Sequence, residues 1–419
     1  MFKYLLGSLL ISSQILMAAP KGYNYTEANV PNFELPKLLE NDQGKPIKTV
    51  DEWETTRRPE ILSTFKEEVF GYVPKKAYDM SFKVVSSEPA LNGVAIRKQV
   101  KLTFKNEQSQ SEVNLLIYLP VNSQKNTPTF LCTNFNGNHT INSDPGIVIT
   151  KAWVRNRKDM GTTNNQASEK SRGVASSRWP VEMILKQGYA LSTVYYGDVD
   201  PDTHDNFKNG IHPLLDGQQR PKNAWGSISA WSWGLSRIMD YFETDPQINH
   251  KKVAVFGHSR LGKTSLWTGA TDQRFALVIS NNSGCGGAAL SRRHFGETVQ
   301  RINTSFPHWF NDNYKKYNEN ENACPIDQHM LIALIAPRPV YVVSAVEDIW
   351  ADPRGEFLSA KYGSEVYQLY GKKHILNESM PELEKPLMTQ VGYHIRHGKH
   401  DVKDYDWENY LKFADMHLK

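Results

Sequence analysis

The sequence predicts an α/β protein: a three-layer αβα sandwich with a mostly parallel central sheet, entered through antiparallel N-terminal strands. Three observations carry that expectation. Segments of alternating apolar and polar residues occupy Met80–Ser86, Val94–Phe104 and Glu112–Leu119, the signature of neighbouring half-buried strands. After residue 127, short apolar runs alternate with helical stretches, the rhythm of buried parallel strands covered on both faces. One of those runs, ending at Gly257, passes almost directly through Ser259 into a helix.

Taken in order, the chain opens with Lys3, an apolar run from Tyr4 to Met17 broken only by Gly7, Ser8, Ser12, Ser13 and Gln14, and the small residues Ala18 and Ala19 before Pro20. That is the layout of a secretory signal peptide. The run is too short for a spanning helix, which needs about 20 apolar residues. Cleavage is expected after Ala18 or Ala19. Ala18 is favoured, because Pro20 would otherwise follow the cut directly. Residues 1–18 are then a signal peptide and 19–419 a single catalytic domain, exported to the periplasm or beyond and without a membrane span.

Residues 20–75 read as polar and irregular, apart from a helical stretch around Arg58–Val69. Past the three alternating segments, strands are expected at Pro128–Thr133, Tyr189–Tyr195, Lys252–Gly257, Phe275–Ser280, Pro339–Ala345 and Ser364–Leu369. Helices are expected at Trp225–Thr244, from Lys263 to Ala270, at His329–Leu334 and at Asp404–His417. The last carries Trp407, Tyr410, Leu411 and Ala414 on one face at i, i+3, i+4 and i+7. Residues 136–180 are rich in Asn, Ser, Arg and Lys and break the rhythm, so they read as a long surface insertion.

The whole-chain numbers agree with one large α/β domain. The chain has 419 residues, 39% hydrophobic and 22% charged, enough for a packed core and unlike a disordered chain. A net charge of +4 without a long Lys/Arg run argues against a nucleic-acid partner. The three cysteines, Cys132, Cys285 and Cys324, leave at least one unpaired within the chain. A Cys285–Cys324 bridge suits an oxidising compartment; the plainer reading is three small buried apolar residues. A monomer is expected.

The densest motif is Gly257-His258-Ser259-Arg260-Leu261-Gly262-Lys263-Thr264, following the apolar Val253–Phe256. A strand, a serine flanked by glycines and a helix build a nucleophile elbow, which leaves the serine hydroxyl exposed at the strand end. The backbone N–H of Arg260, at the helix N-terminus, is placed to stabilise an oxyanion. One extra residue, Leu261, separates this motif from G-x-S-x-G. The same residues also spell the phosphate-binding G-x-x-x-x-G-K-T. That reading fails on position, since well over two hundred residues precede the motif, and on an exported setting poor in nucleoside triphosphates.

An α/β-hydrolase fold orders its triad nucleophile, acid, histidine. Asp348, after the late strand, and His400, before the last helix, complete that order behind Ser259. A serine hydroxyl is a weak nucleophile, so an imidazole must take its proton while a carboxylate fixes the imidazole. His394, His397 and His400 also form H-x-x-H-x-x-H. In a strand or loop that spacing does not bring three ligands to one face, so no metal is expected, and no cofactor is implied.

Beyond the elbow, Ser283-Gly284-Cys285-Gly286-Gly287, Arg293-His294-Phe295-Gly296-Glu297, Phe306-Pro307-His308-Trp309-Phe310, Asp327-Gln328-His329, Ala336-Pro337-Arg338-Pro339 and Asp348-Ile349-Trp350-Ala351-Asp352-Pro353 together resemble the bacterial glucuronoyl esterases of carbohydrate esterase family 15. Asn134-Phe135-Asn136-Gly137-Asn138-His139 fits the early loop of that family, and the resemblance spans roughly residues 125–419. It implies a serine esterase that cleaves esters between 4-O-methyl-glucuronate on xylan and lignin alcohols. By carry-over, Ser259 attacks the carbonyl and His400 is base then acid. Arg260 holds the oxyanion, and Lys263, Glu297, Trp350 and Trp309 contact the sugar. One departure stands out. Many family members place the triad acid immediately before the Ser-Gly-x-Gly-Gly stretch, where this chain has Asn282. Asp348 occupies the alternative place used by some bacterial members, and its neighbour Glu347 points elsewhere if the strand pattern continues. The competing readings are an acetyl-xylan or other carbohydrate serine esterase, and a sugar-binding protein that has kept the fold without the chemistry.

Overall fold

Nine strands form one sheet in the computed structural model, which describes residues 20–419 except Gln124. The expected signal peptide lies outside the described residues. The strands are β1 (Asp79–Ala90), β2 (Ala95–Lys105), β3 (Gln110–Pro120), β4 (Thr127–Asn134), β5 (Ala190–Tyr195), β6 (Ile248–His258), β7 (Leu277–Asn281), β8 (Val340–Ala345) and β9 (Val391–Arg396). Their order is β1-β2-β3-β5-β4-β6-β7-β8-β9. The pairs β1–β2, β2–β3 and β3–β5 are antiparallel, and every pair from β5 onward across the sheet is parallel.

The central strands bury both faces, as their unbroken apolar runs require. Along β6, Val253 and Val255 face one core, and Ala254 and Phe256 face the other. In β8 the same alternation sends Val340 and Val342 one way and Tyr341 and Val343 the other. Helices Ser227–Phe242, Arg260–Thr271 and Gln328–Ala333 cover the first face; Val181–Lys186 and Asp404–Leu418 cover the second. This is the αβα sandwich of an α/β-hydrolase. Among the described residues no helix is long and apolar enough to cross a membrane.

The last helix is anchored by Trp407. Its buried indole packs edge-on against Phe130 at 5.5 Å between ring centres and lies 5.0 Å from Phe256. Its Nε1–H donates to the Arg178 carbonyl at 2.9 Å. One side chain thus ties the helix to two strands and to the end of the 136–180 segment.

Three expectations need correction. Ser364–Leu369 is no strand: residues Ser364–Tyr370 form a tight helical turn running on from helix Pro353–Gly363. Val366 and Tyr367 are buried, with Leu369 and Tyr370 packed against the core three residues on. That period is helical, and the β-branched and aromatic content of the segment disguises it. The final strand is instead β9, Val391–Arg396, whose polar His394 and Arg396 conceal it in the sequence although all six residues are buried. Cys285 and Cys324 are not bridged; all three cysteines are free and buried.

The 136–180 segment has no strand and only short 3-10 turns, yet it is not a loose surface loop. His139, Thr140, Ile141, Ile147, Val154, Thr162 and Ser171 are buried, and His139 Nε2 bonds Ser171 Oγ at 2.8 Å.

Trp407→Ala is expected to lower unfolding stability by about 3–5 kcal/mol, the cost of emptying a fully buried aromatic site. Urea unfolding measures it, and a loss below about 1 kcal/mol would contradict the anchoring role.

Candidate active site

Strands β6, β7, β8 and β9 are adjacent and parallel, so their carboxyl ends share one edge of the sheet. In open α/β sheets that edge is where ligands bind. Ser259 follows β6, Asn282 follows β7, Asp348 follows β8 and His400 follows β9.

The turn at Ser259 is sharp. Helix Arg260–Thr271 begins at the next residue, and Ser259 has φ 59° and ψ −129°, a conformation that costs free energy for a residue with a side chain. Close approach of helix and strand enforces it. A Cβ at Gly257 would lie 1.8 Å from the Leu261 carbonyl oxygen, and one at Gly262 would lie 2.9 Å from Ser283 Cβ. The second glycine stands three residues after the serine because that position faces β7. The N–H groups of Gly262 and Lys263 already donate to the Ser259 carbonyl, at 2.8 and 3.2 Å. No wide phosphate-cradling loop exists here, and the Lys263 ammonium turns inward to the Ser283 carbonyl.

His400 is held by its Nδ1, 2.6 Å from Asp348 Oδ2. Nδ1 therefore carries the proton, and Nε2 keeps a lone pair. The same Asp348 oxygen accepts from Asn282 Nδ2 at 2.8 Å. Asn282 thus adds a neutral donor beside the carboxylate, where a second carboxylate would repel it. Asp348 is buried. The two loops are stitched together, Val346 N–H donating to the Arg396 carbonyl at 2.9 Å and Glu347 N–H to that of Gly398 at 3.1 Å.

Arg396 fixes the histidine loop from beneath. Its buried guanidinium donates to the carbonyls of His397 at 2.9 Å, Lys399 at 3.2 Å and Asp401. Asp406 accepts from Arg396 Nε at 2.8 Å and bonds His394 Nε2 at 2.9 Å. His394 Nδ1 bonds Tyr341 Oη at 2.9 Å. His394 is thus committed to packing beneath the loop, while His400 is committed to Asp348.

Arg260 has an equally built setting. It pairs with the fully buried Asp202, which also accepts from Trp309 Nε1 at 2.8 Å and Tyr196 Oη at 3.1 Å and bonds His308 Nε2 at 2.9 Å. Burial alone would raise the Asp202 carboxyl, yet Arg260, His308 and Trp309 hold it well below the ordinary carboxylate range. The guanidinium carbon lies 4.9 Å from the Trp309 ring centre. Trp309 itself is buried and stacked on Phe306 at 3.8 Å. It supports Arg260 and Asp202 from behind.

Lys263 and Glu297 face each other at 3.7 Å. Burial raises the Glu297 carboxyl, against the opposing fields of Lys263, Arg260 and His400. Glu297 N–H donates to the Trp350 carbonyl at 3.0 Å, and the Trp350 ring meets Tyr23 edge-on at 5.0 Å. His258 lies beside His400, ring centres 4.4 Å apart. Burial, with His400 and Arg178 nearby, keeps His258 neutral well below the ordinary imidazole range.

Ser259, Arg260, His258 and His400 open onto one cleft of about 520 Å³. Much of its lining comes from the 136–180 segment, through Asn136, Thr140, Arg155, Arg157, Met160 and Arg178. The sequence left that segment without a function; the structure makes it half of the cleft. Asp202, Arg396 and Glu356 were not singled out in the sequence. The signal available for Asp202 was the acidic run Asp198, Asp200, Asp202 directly after a strand. For Arg396 it was a charged residue within an apolar hexapeptide.

A strained serine at the carboxyl edge of a mixed sheet, with an acid-bound histidine on the same cleft, defines an α/β-hydrolase built for acyl chemistry. The comparisons narrow the class. A family profile described as "Glucuronyl esterase, fungi" matches residues 192–371. A carbohydrate esterase from an unknown prokaryotic organism is 51% identical over 96% of this chain and 93% of its own length. A solved glucuronoyl esterase from Solibacter usitatus is 46% identical, with a TM-score of 0.88 over 94% of this chain and all of that one. One from Teredinibacter turnerae is 29% identical, with a TM-score of 0.78 over 91% of this chain and 89% of that one. The chain belongs to carbohydrate esterase family 15, the glucuronoyl esterases, and is a carboxylic ester hydrolase.

Glu356, fully buried, accepts from Ser344 Oγ at 2.6 Å and from Gly284 N–H at 3.0 Å. Burial pushes its carboxyl up to about 8 from an ordinary 4.5, with those two hydrogen bonds opposing. Between these values the folded chain binds more protons than the unfolded one, so this group's contribution to stability is full below the lower value and lost as pH rises through the upper. Glu356→Gln preserves the shape and removes the titration. Its melting temperature relative to the parent is expected to rise between about pH 5 and about pH 8.5. A difference that stays flat with pH would contradict a proton held at this site.

Proposed function

We propose that the chain hydrolyses esters joining 4-O-methyl-glucuronate on xylan to lignin alcohols, with Ser259 as nucleophile, His400 as general base and acid, and Asp348 as the acid of the triad. The observation that carries the triad is the 2.6 Å bond from His400 Nδ1 to Asp348. It sets the tautomer that leaves Nε2 free to take the serine proton. Attack forms a tetrahedral oxyanion, for which the Arg260 backbone N–H and the fixed Arg260 guanidinium are the donors at hand. Collapse releases the alcohol, protonated by His400, and leaves an ester on Ser259. Water activated by His400 then frees the uronic acid.

Substrate class is supported by the polar set around the serine. Glu297 and Trp350, held beside the buried Lys263, offer an acceptor and an aromatic face, which suit sugar hydroxyls better than an acyl chain. The N-terminal charge, apolar run and Ala18-Ala19 pair support action outside the cytoplasm. A broader ester range is a second reading, favoured by one observation: a solved relative 51% identical to this chain is described as a promiscuous esterase of the same family from a marine bacterial metagenome.

Benzyl glucuronate and a simple acetyl ester, assayed side by side with the parent and Ser259→Ala, test this reading. Turnover of the glucuronate ester that vanishes in the variant is expected. Acetyl ester turnover alone would transfer the assignment to the broader reading, and no turnover of either would overturn the glucuronate-ester reading. Asp348→Ala is expected to lower kcat by orders of magnitude, as loss of a triad acid does, and Asn282→Ala by roughly tenfold or less. The reverse ranking in steady-state kinetics would remove Asp348 from the triad.

A further inference from the structure

Four arginines line the cleft: Arg155, Arg157 and Arg178 from the 136–180 segment, and Arg260 beside the serine. Three carboxylates pair with them. Asp202 takes both Arg155 and Arg260, Asp159 takes Arg157, and Asp401 takes Arg178. Asp401 also takes Lys403 at 2.6 Å. Five cations thus share three carboxylates, and Asp401 is the one carboxylate among the described residues that line this cleft. The side chains of Arg155 and Arg157 are each 51% exposed and that of Arg178 is 35% exposed. Ion pairs at such exposure are weak and leave guanidinium N–H groups free.

A glucuronate ester does not use this surplus. Its reacting carboxyl is neutral, and Arg260 already stands beside the serine. Arg157 and Arg178 line the same cleft and pair with Asp159 and Asp401, away from the Arg260–Asp202 pair. Guanidinium groups recognise carboxylates through paired N–H donors.

We propose that this wall binds a second, unesterified uronate carboxylate on the same polysaccharide, so that the enzyme favours esters embedded in acidic chains. The inference rests on the glucuronate-ester reading and extends it to the substrate beyond the reacting sugar. Hydrolysis adds water across the acyl–oxygen bond, releases the alcohol and leaves a carboxylate on the polymer. Each turnover therefore makes a new ligand for the wall.

The test compares glucuronoxylan with every uronate benzyl-esterified, the same polymer with about half its uronates free, and monomeric benzyl glucuronate. Parent, Arg157→Gln, Arg178→Gln and the double variant are assayed. At low salt the parent is expected to favour the half-free polymer, per ester, by roughly three- to tenfold in kcat/KM, the range of one or two partly exposed ion pairs. The preference should fade at about 0.5 M salt, where the screening length falls below ~5 Å. The double variant should lose the preference, read as the ratio of its kcat/KM on the two polymers, whatever its rate on benzyl glucuronate. Equal rates on the two polymers at low salt, or a preference that survives the double substitution, would overturn the proposal. If the parent does not hydrolyse benzyl glucuronate, the glucuronate reading fails by itself. Calorimetric binding of free glucuronoxylan against unsubstituted xylan then decides the wall: tighter binding of the acidic polymer, weakened by the double variant, supports it, and equal binding overturns it.

Discussion

The site depends on how closely the helix after Ser259 approaches the strand before it. With hydrogen at Gly257 and Gly262 in place of side chains, the helix starts within one residue of the strand and presses onto β7. The serine has no room for ordinary backbone angles and takes φ 59°. Its hydroxyl is lifted onto the carboxyl edge of the sheet and the Arg260 N–H onto the first turn of the helix. The Ser259 hydroxyl and the Arg260 N–H therefore take their places from one constraint, and the strain is offset by the packing of two fully buried layers.

Around that fixed point, the remaining groups arrive on loops that the core holds still. Asp348 is gripped from two sides by His400 and Asn282. The histidine loop would otherwise be free to move, but Arg396 binds three of its carbonyls and is itself seated on Asp406. Arg260 is treated alike, with Asp202 and Trp309 setting its direction. In each case a buried charge has several partners, the condition under which burying one is tolerable. Asn282 follows the same rule, since its amide donates to the Asp348 carboxylate without the repulsion a second carboxylate would bring.

Much of the fold was legible because its signals are local. Alternation marked β1 to β3, and the unbroken apolar runs marked β4 to β8, since each face of those strands meets a helix. The elbow was legible for the same reason, whereas the order of Ser259, Asp348 and His400 followed from the chain order of the fold class. What escaped depends on distant partners. β9 was hidden because His394 and Arg396 become acceptable inside the sheet only when Asp406 supplies their bonds. Ser364–Tyr370 misled because its aromatic and β-branched residues suit a strand, while their three-residue spacing packs as a helical turn. Asp202 looked like one acid among several; only the fold brings Arg260, His308 and Trp309 to it. The polar 136–180 segment has no periodicity to read, since its order comes from cross-links such as His139 to Ser171.

If Ser259, raised by the elbow and served by the Asp348-bound His400, is the nucleophile, a glucuronate ester acylates it covalently during turnover. Acid-quenched mass spectrometry of the full chain during benzyl glucuronate turnover, with peptide mapping, tests it directly. A glucuronoyl adduct on the peptide carrying Ser259, formed and lost within the turnover time, is the predicted result. Steady turnover with the adduct on another residue would contradict it.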